Sequence, residues 1–535
     1  MDNSLVNVYK YFHNLNDYQI TNKTMIYLLM SMFYLQQICH GLNDFSTYLV
    51  EDFEISVLNV INHSILLFQV KQPSNIISIP SLIYIFFIVL SFYIFSNLLI
   101  FYNFKNNPNS FDSLKQLISL FDFVNYFFLG DVILNNSLKS LVCNNVGYSD
   151  FLLVKCSGTQ YYIIIIISIM NIFMELLILI KYCYFCNTIL MNNSFPLCRN
   201  VCKIEIYCST TKVINIVLRL IKSDDLTTKI IVTCFNTLLY LGISIYVLIY
   251  LPFHKRMSNY MVFYYNSFVF FFYLFIIIFV LSNLSSMLIF LIVLFFVNHI
   301  LSKTVFNYRV NYLIFKKNIT SVNKYYEIIF ISNYFLELYE NEFDHYSKCL
   351  KFGIISRHLN ECTNIDCPLK NKNKLYFPIK KEWSSGENSV YENTTFIFLI
   401  ICALENFNMN YPNKFINLYL SELFLIFVGN QNKTLFYIYN FKNMKVGKLE
   451  MYHYVKLSED IEKVLRKKLK NSRESKGFIT EEIDIMQYFE ITHSFDLLKK
   501  CIKVYLRNSE KFWKIFVESS KMLIIDKIYQ IGKYY

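Results

Sequence analysis

One histidine and three cysteines lie close together in the C-terminal half of the chain. Three and four residues separate His358, Cys362 and Cys367, while Cys349 lies upstream and Pro368 favours a turn after the last cysteine. Thiolates and imidazole are ligands that zinc prefers, and closely spaced ligands beside a turn are typical of small zinc sites. We therefore expect Cys349, His358, Cys362 and Cys367 to bind zinc; the alternative is reduced thiols and a surface histidine.

A second group of residues indicates modification on the outer side of a membrane. Residues 135–160 carry only two lysines, which predicts an outside loop. Cys143 and Cys156 flank that loop, so a disulfide between them is expected in an oxidising compartment. The triplet that begins at Asn135, Asn-Asn-Ser, matches an N-glycosylation acceptor. Both expectations depend on the outside placement of the loop.

Acidic side chains within apolar segments form the third group. Asp122, Asp131 and Glu175 lie in segments with few other charges. Ionisable groups in a bilayer are costly and often mark paths for ions or protons. Asp122 and Glu175 would line such a path if the chain is a channel or transporter. The alternative is structural, because Glu175 lies near the helix end at Lys181 and the aspartates need not lie in the membrane.

The longest apolar feature of the chain predicts a membrane location for these elements. No charged side chain interrupts residues 257–302, a length that would extend roughly 69 Å as a helix. Two crossings fit it, since one crossing takes about 20 residues. The sequence predicts spans near 24–43, 79–101, 116–134, 157–180, 230–252, 262–281 and 287–301. The two aspartates of 116–134 oppose its insertion, so six or seven crossings are expected, with eight as the upper limit.

The lysines and arginines of the loops give conflicting orientations. Seven basic residues in 181–229 predict a cytosolic loop, which agrees with an outside loop at 135–160. Three further crossings would then place the C-terminal part outside, although its size and charge favour the cytosol. Either one of the last three segments is re-entrant or interfacial, or a loop assignment is wrong.

Charge divides the 535 residues into two parts. Charged residues make up 17% of the chain, against about 25% in soluble domains. Residues 303–535 hold 35 of the 51 basic and 25 of the 39 acidic side chains, and thus +10 of the net charge of +12. We expect a transmembrane domain over 1–302, a membrane-proximal helical segment over 303–359, a linker with the His/Cys block over 360–393, and a cytosolic helical interaction domain over 394–535.

Helical periodicity dominates the C-terminal part. Pro412 to Val428 has apolar residues at helical spacing and is followed by Gly429 and Asn430, which favour a stop. A second short helix is expected over Asn432–Met444, and such pairs are the unit of α-solenoid repeats. The whole chain is therefore predicted to be all-α, with a transmembrane bundle followed by a soluble domain that resembles tetratricopeptide or other α-solenoid repeats.

No catalytic signature accompanies this architecture. The chain has 11 glycines and lacks a P-loop, a dinucleotide-binding glycine pattern or a nucleophile elbow. We expect a non-enzymatic membrane protein that contacts lipid and binds protein partners through its C-terminal domain, in signalling or as a scaffold. Nucleic acid is not an expected partner. A channel or transporter is the alternative.

Four short blocks occur in order along the chain: Met25–Asp44, the membrane turn 251–266, the His/Cys block that ends in Cys367-Pro368-Leu369, and the Phe-Trp block Lys511–Phe516. Together they resemble blocks of large ciliate membrane proteins with TmcB/TmcC-type tetratricopeptide repeats. The resemblance implies a multi-pass membrane domain and a helical interaction domain. Leu369 stands where the family pattern has a further cysteine, and the chain ends before the sensor region that follows in some of these proteins, so a truncated member is expected.

Overall fold

A computed structural model gives the arrangement of much of the chain. It describes residues 8–9, 11–12, 15, 23–49, 79–104, 111–142, 148–149, 154–185, 197, 203–219, 226–282, 287–316, 324–340, 387–425, 431–442, 444 and 455. In these ranges the fold is helical apart from one antiparallel pair of two-residue strands, β1 (Tyr148–Ser149) and β2 (Val154–Lys155). The predicted all-α class is confirmed.

The helices run in chain order with the following bounds. They are α1 (Lys23–Leu49), α2 (Ile79–Phe104), α3 (Asp112–Val124), α4 (Gly130–Ser140), α5 (Thr159–Phe185), α6 (Lys203–Arg219), α7 (Leu226–Tyr250), α8 (Arg256–Ser282), α9 (Met287–Asn311), α10 (Tyr325–Glu340), α11 (Glu387–Asn410), α12 (Lys414–Leu423) and α13 (Gln431–Lys442). One π-helical turn, Asn125–Leu129, joins α3 to α4 without a break, and another, Tyr312–Lys316, extends α9.

Five of these helical stretches are long and apolar enough to cross a membrane, which is the architecture of an integral membrane protein. They are Pro80–Phe104, Asp112–Ser140, Thr159–Phe185, Leu226–Tyr250 and Arg256–Ser282. Large apolar side chains cover their outer surfaces, for example Ile88, Phe92, Ile166, Phe173 and Leu238, each more than half exposed. The search for spans did not cover the whole of α1 and α9, so the spans predicted near 24–43 and 287–301 stay predictions.

Hydrogen bonds between neighbouring helices show whether the two helices are parallel or antiparallel. Asp122 meets Lys181 and Ser140 meets Ser168, so the continuous α3–α4 helix is antiparallel to α5. Arg256 meets Asn307, which makes α8 and α9 antiparallel. We call the end of the bundle that holds the C-terminus of α7 the proximal end.

Helix α6 lies inside the bundle and runs from the proximal end toward the opposite end. Near its start, Tyr207 packs edge-on against Tyr246 of α7 at 5.0 Å between ring centres. Further along, the amide of Asn215 donates to the Tyr240 hydroxyl at 3.4 Å, so α6 and α7 are antiparallel. Lys212, between these two positions, is 2% exposed. The prediction of 181–229 as one loop is therefore wrong, because it contains a buried helix.

Helices α6, α7, α8 and α9 run alternately away from and toward the proximal end, so the chain returns to the end of the bundle where α6 begins. Arg309 near the end of α9 donates to the backbone oxygens of Leu248 and Ile249 at the end of α7. Both helices therefore end at the proximal end, where α6 begins.

The C-terminal helices pack directly on the proximal end. Glu327 of α10 forms an ion pair with Arg309 at 3.0 Å, and Asn333 of α10 accepts a hydrogen bond from Tyr419 of α12 at 2.6 Å. A cleft of about 40 Å³ lined by Lys203 and Tyr325, among others, separates α6 from α10 and is too small for an organic ligand. One continuous apolar core joins the membrane helices to α10–α13.

The helix pair predicted in the C-terminal part is present as α12 and α13. Helix α12 begins later than Pro412, because the side chain of Asn413 caps it by accepting from the Phe415 amide at 2.9 Å. Helix α11 begins at Glu387, within the predicted linker 360–393. The part of the predicted interaction domain that follows residue 455 lies outside the described residues.

Candidate functional site

Many polar side chains are buried along the continuous α3–α4 helix, beside buried apolar ones such as Phe123 and Val132. Nine polar or charged residues of this helix are buried: Lys115, Ser119, Asp122, Asn125, Asp131, Asn135, Asn136, Ser137 and Ser140. Helix α5 faces them with Ser168, Asn171 and Glu175, which are fully buried, and with Lys181. Apolar side chains outside and polar ones inside are the reverse of a soluble helix pair, so this polar column defines the candidate site.

The proximal layer of the column is a buried ion pair. The Lys181 ammonium donates to Asp122 Oδ2 at 2.7 Å, to the Tyr93 hydroxyl at 2.7 Å and to Asn97 Oδ1 at 3.1 Å. Tyr93 in turn donates to Asp122. Tyr11 extends the network by donating to Asn97 Oδ1 at 3.0 Å. Every charge in this layer has a partner, which suits a structural clamp between α2, α3 and α5.

The middle layer holds a carboxylate without an ion pair. Glu175 is completely buried, and Asn125 Nδ2 donates to its two oxygens at 2.9 and 2.8 Å. Asn125 lies in the π-helical turn, a type of local distortion that is frequent at functional sites. Gly130 follows that turn, and its missing side chain leaves the space in which Glu175 Oε1 lies. The π-helical turn and the glycine that follows it therefore leave space for the Glu175 carboxylate.

Lys212 of α6 provides a buried cation in the same layer. Its ammonium donates to the backbone oxygen of Tyr126, in the π-helical turn, at 3.2 Å, and lies 5.6 Å from the centre of the Phe33 ring. Its charge interacts with Asp131 and Glu175, but among the described residues no carboxylate oxygen lies within 4 Å of it. The middle layer thus holds the Glu175 carboxylate and the Lys212 ammonium without a direct hydrogen bond between them.

The far layer contains polar atoms that lack partners. Ser140 donates to the Ser168 hydroxyl at 2.6 Å. Asn135 Nδ2, both amide atoms of Asn136 and Ser137 Oγ have no hydrogen-bond partner in the described structure, although all three residues are at most 1% exposed. Buried polar groups in native proteins are normally satisfied by protein, water or an ion. A chain of such groups beyond Glu175 is suited to hydration.

The structure brings together the two acids that the sequence singled out. Asp122 and Glu175 lie on facing helices, Asp122 in the clamp and Glu175 in the middle layer. Asp122 lies within the candidate span Asp112–Ser140, and its ion pair with Lys181 compensates its charge there. The objection to a span over 116–134 is thereby answered for Asp122.

Other predicted site residues have different outcomes. Cys349, His358, Cys362 and Cys367 lie outside the described residues, and no metal-binding group of histidine, cysteine or acidic residues occurs within the described ranges. Cys156 is disulfide-bonded. Its predicted partner, Cys143, lies outside the described residues, so that pairing stays a prediction.

Asn135 does not lie in a loop. Helix α4 continues to Ser140, so the predicted loop 135–160 begins too early, and the Asn135 side chain is 1% exposed. Glycosylation at Asn135 does not fit this placement, because an enzyme cannot reach a buried amide.

Sequence reasoning missed Asn125, Gly130, Lys181 and Lys212. Lys181 was taken as a helix end and Lys212 as a loop residue. One available signal was the spacing of Ile204, Cys208 and Ile216 at multiples of four residues, which places Lys212 on the same face of a helix.

Comparison with known proteins adds no relative: no family model, no curated protein and no solved structure matches the chain. The class of protein defined by the fold is an all-α integral membrane protein with a polar, charged interior.

Proposed function

We propose that this chain is a membrane channel or transporter that moves protons or monovalent cations along the polar column. The observation that carries the proposal is Glu175, a fully buried carboxylate in a spanning helix whose only hydrogen-bond partner among the described residues is the neutral amide of Asn125. A charged group that serves stability alone is normally paired, as Asp122 is. An unpaired acid inside a membrane protein is suited to binding and releasing a cation.

The remaining layers support a path on both sides of Glu175. Toward the proximal end lie the Lys181 clamp and Tyr11, and toward the far end lie Asn136, Ser137 and Ser140. Polar atoms without partners in the far layer would be stabilised by water, which a translocated ion also needs.

Reconstitution into liposomes tests this function directly. The full chain should give proton or alkali-cation flux, read by an internal pH dye or by ion-selective electrodes, and Glu175→Gln should abolish it. Glu405→Gln is the matched control, since Glu405 pairs with Lys433 at 2.9 Å on the C-terminal helices, away from the column. Wild-type liposomes without flux, or an unchanged flux in Glu175→Gln, would refute the proposal.

A second candidate function is protein binding by α10–α13, in signalling or as a scaffold. It is supported by the packing of these helices on the bundle and by Met409 (76% exposed) and Tyr411 (53% exposed), two large side chains at the corner between α11 and α12. Such exposed anchors are typical of interface hot spots. Affinity capture with the full chain should enrich specific proteins that a Met409→Ser, Tyr411→Ser variant loses; equal recovery by both would refute this function.

We propose further that the proximal end, and with it the C-terminal helices, faces the cytosol. Lys203, Lys255, Arg256 and Lys324 are located there, and cytosolic ends of membrane proteins are rich in such residues. Glycosylation tags would locate it: a tag after residue 535 should stay unmodified and one between 283 and 286 should be glycosylated. The opposite pattern would reverse the assignment.

A further inference from the structure

The positive charge that interacts with Glu175 is a side chain of the protein itself, Lys212. Helix α6 enters the bundle from the proximal end and carries Lys212 to the depth of Glu175, on the face that packs against α4 and α5. The ammonium is held by the Tyr126 backbone oxygen, a carbonyl of the π-helical turn, at 3.2 Å. It is thus fixed beside the carboxylates of Glu175 and Asp131 without being bonded to Glu175.

With Lys212 in place, the groups around Glu175 are arranged for a proton and not for a metal ion. Monovalent and divalent metal cations bind several oxygen ligands. Here Asn125 directs its N–H donors, not its oxygen, at both carboxylate oxygens. The backbone of Gly130 closes one side of the carboxylate so tightly that even a methyl group would overlap Glu175 Oε1. A proton needs neither space nor further ligands.

The charges that face Glu175 also favour a proton. They are Lys212 from α6, Asp122 from α3 and Asp131 from α4. A metal ion at Glu175 would stand beside the Lys212 ammonium, and like charges repel strongly where water is scarce. A proton on Glu175 removes the carboxylate charge instead and leaves Lys212 facing Asp131 with opposite sign.

We propose that Lys212 is a tethered cation that reserves the Glu175 carboxylate for protons and excludes metal cations from it. The inference rests on the proposed transport function and specifies its ion. In each cycle an O–H bond forms at Glu175 as a proton arrives from water and breaks as the proton leaves to water, with no change in oxidation state. Lys212 acts here as a specificity-determining residue.

The test compares sodium with choline at equal ionic strength. Thermal unfolding of the wild-type chain in detergent should be the same in both salts. Lys212→Met, which keeps the side-chain length and removes the charge, should create a stabilisation specific to sodium, and adding Glu175→Gln should remove it again. Lys433→Met, a lysine substitution on the C-terminal helices, should show no sodium effect.

Two outcomes would overturn the inference: a sodium-specific stabilisation of the wild-type chain, or its absence in Lys212→Met. If Lys212→Met does not fold, Lys212→Gln provides the same comparison, and the wild-type measurement decides alone if neither folds. Flux measurements separate this inference from the proposed function. Liposomes without any flux contradict transport, whereas sodium flux through the wild-type chain contradicts only the proton selectivity.

Discussion

Gly130 offers the sharpest test of how Glu175 is held. A methyl group at Gly130 would overlap Glu175 Oε1 and would lie 2.9 Å from the Asn125 backbone oxygen and 3.2 Å from Glu175 Cδ. The backbone oxygen belongs to the π-helical turn and cannot move without disturbing the α3–α4 helix. Gly130→Ala must therefore displace Glu175 or shift the helix.

The expected cost follows from these contacts. Overpacking a dense interior costs about 1–3 kcal/mol. Displacing Glu175 also weakens its two hydrogen bonds with Asn125, and a hydrogen bond to a charged group contributes about 1.5–3 kcal/mol. The gain of alanine over glycine in a helix offsets about 0.5–1 kcal/mol. Gly130→Ala should therefore lower the free energy of unfolding by about 2–4 kcal/mol.

Gly242 provides a matched control in another spanning helix. A methyl group there meets no atom within 4 Å, so Gly242→Ala should gain the helical preference of about 0.5–1 kcal/mol. Thermal unfolding in detergent, followed by tyrosine or tryptophan fluorescence, should give shifts of opposite sign for the two variants. In a Glu175→Ala background the cost of Gly130→Ala should fall. Equal shifts of the unfolding temperature for Gly130→Ala and Gly242→Ala would refute the claim that Gly130 leaves space for Glu175.

Three further variants test the clamp, the junction and the C-terminal helices. Asp122→Asn should cost about 3–5 kcal/mol in unfolding because it leaves Lys181 buried without its anion, and Asp122→Asn with Lys181→Met should recover much of that loss. Glu327→Gln should cost about 2 kcal/mol by removing the ion pair with Arg309, and proteolysis should then release α10–α13 more readily. Burial and an adjacent carboxylate raise the pKa of Tyr437 above its ordinary value. Stability should therefore fall as pH rises past about 10, and Tyr437→Phe should make that decline shallower; an unchanged profile would contradict it.

The apolar spanning helices could be predicted from sequence because their signal is local. The span predicted over 79–101 corresponds to α2, and that over 157–180 corresponds to α5, each within a few residues. A bilayer imposes length and apolar composition on each helix separately, so no knowledge of neighbours is needed.

The interior of the bundle could not be predicted in the same way. Asp122 looked unsuitable for a membrane because its partner Lys181 is 59 residues away in sequence. Glu175 was identified as an intramembrane acid, but its setting depends on Asn125 and Gly130 from another helix. Polar side chains that satisfy one another across helices leave no periodic apolar signal.

Helix α6 shows how the same limitation can hide a whole helix. Its charges, such as Lys203, Lys212 and Arg219, are typical of a loop, so the segment was predicted to be part of one. One of these residues, Lys212, is buried inside the bundle, where its charge interacts with Glu175 and Asp131. Charged side chains in the interior of a bundle lower the hydropathy of the helix that carries them. Here the helix that hydropathy missed also brings a cation to the candidate site, so the missed helix and the missed site residue have one physical cause.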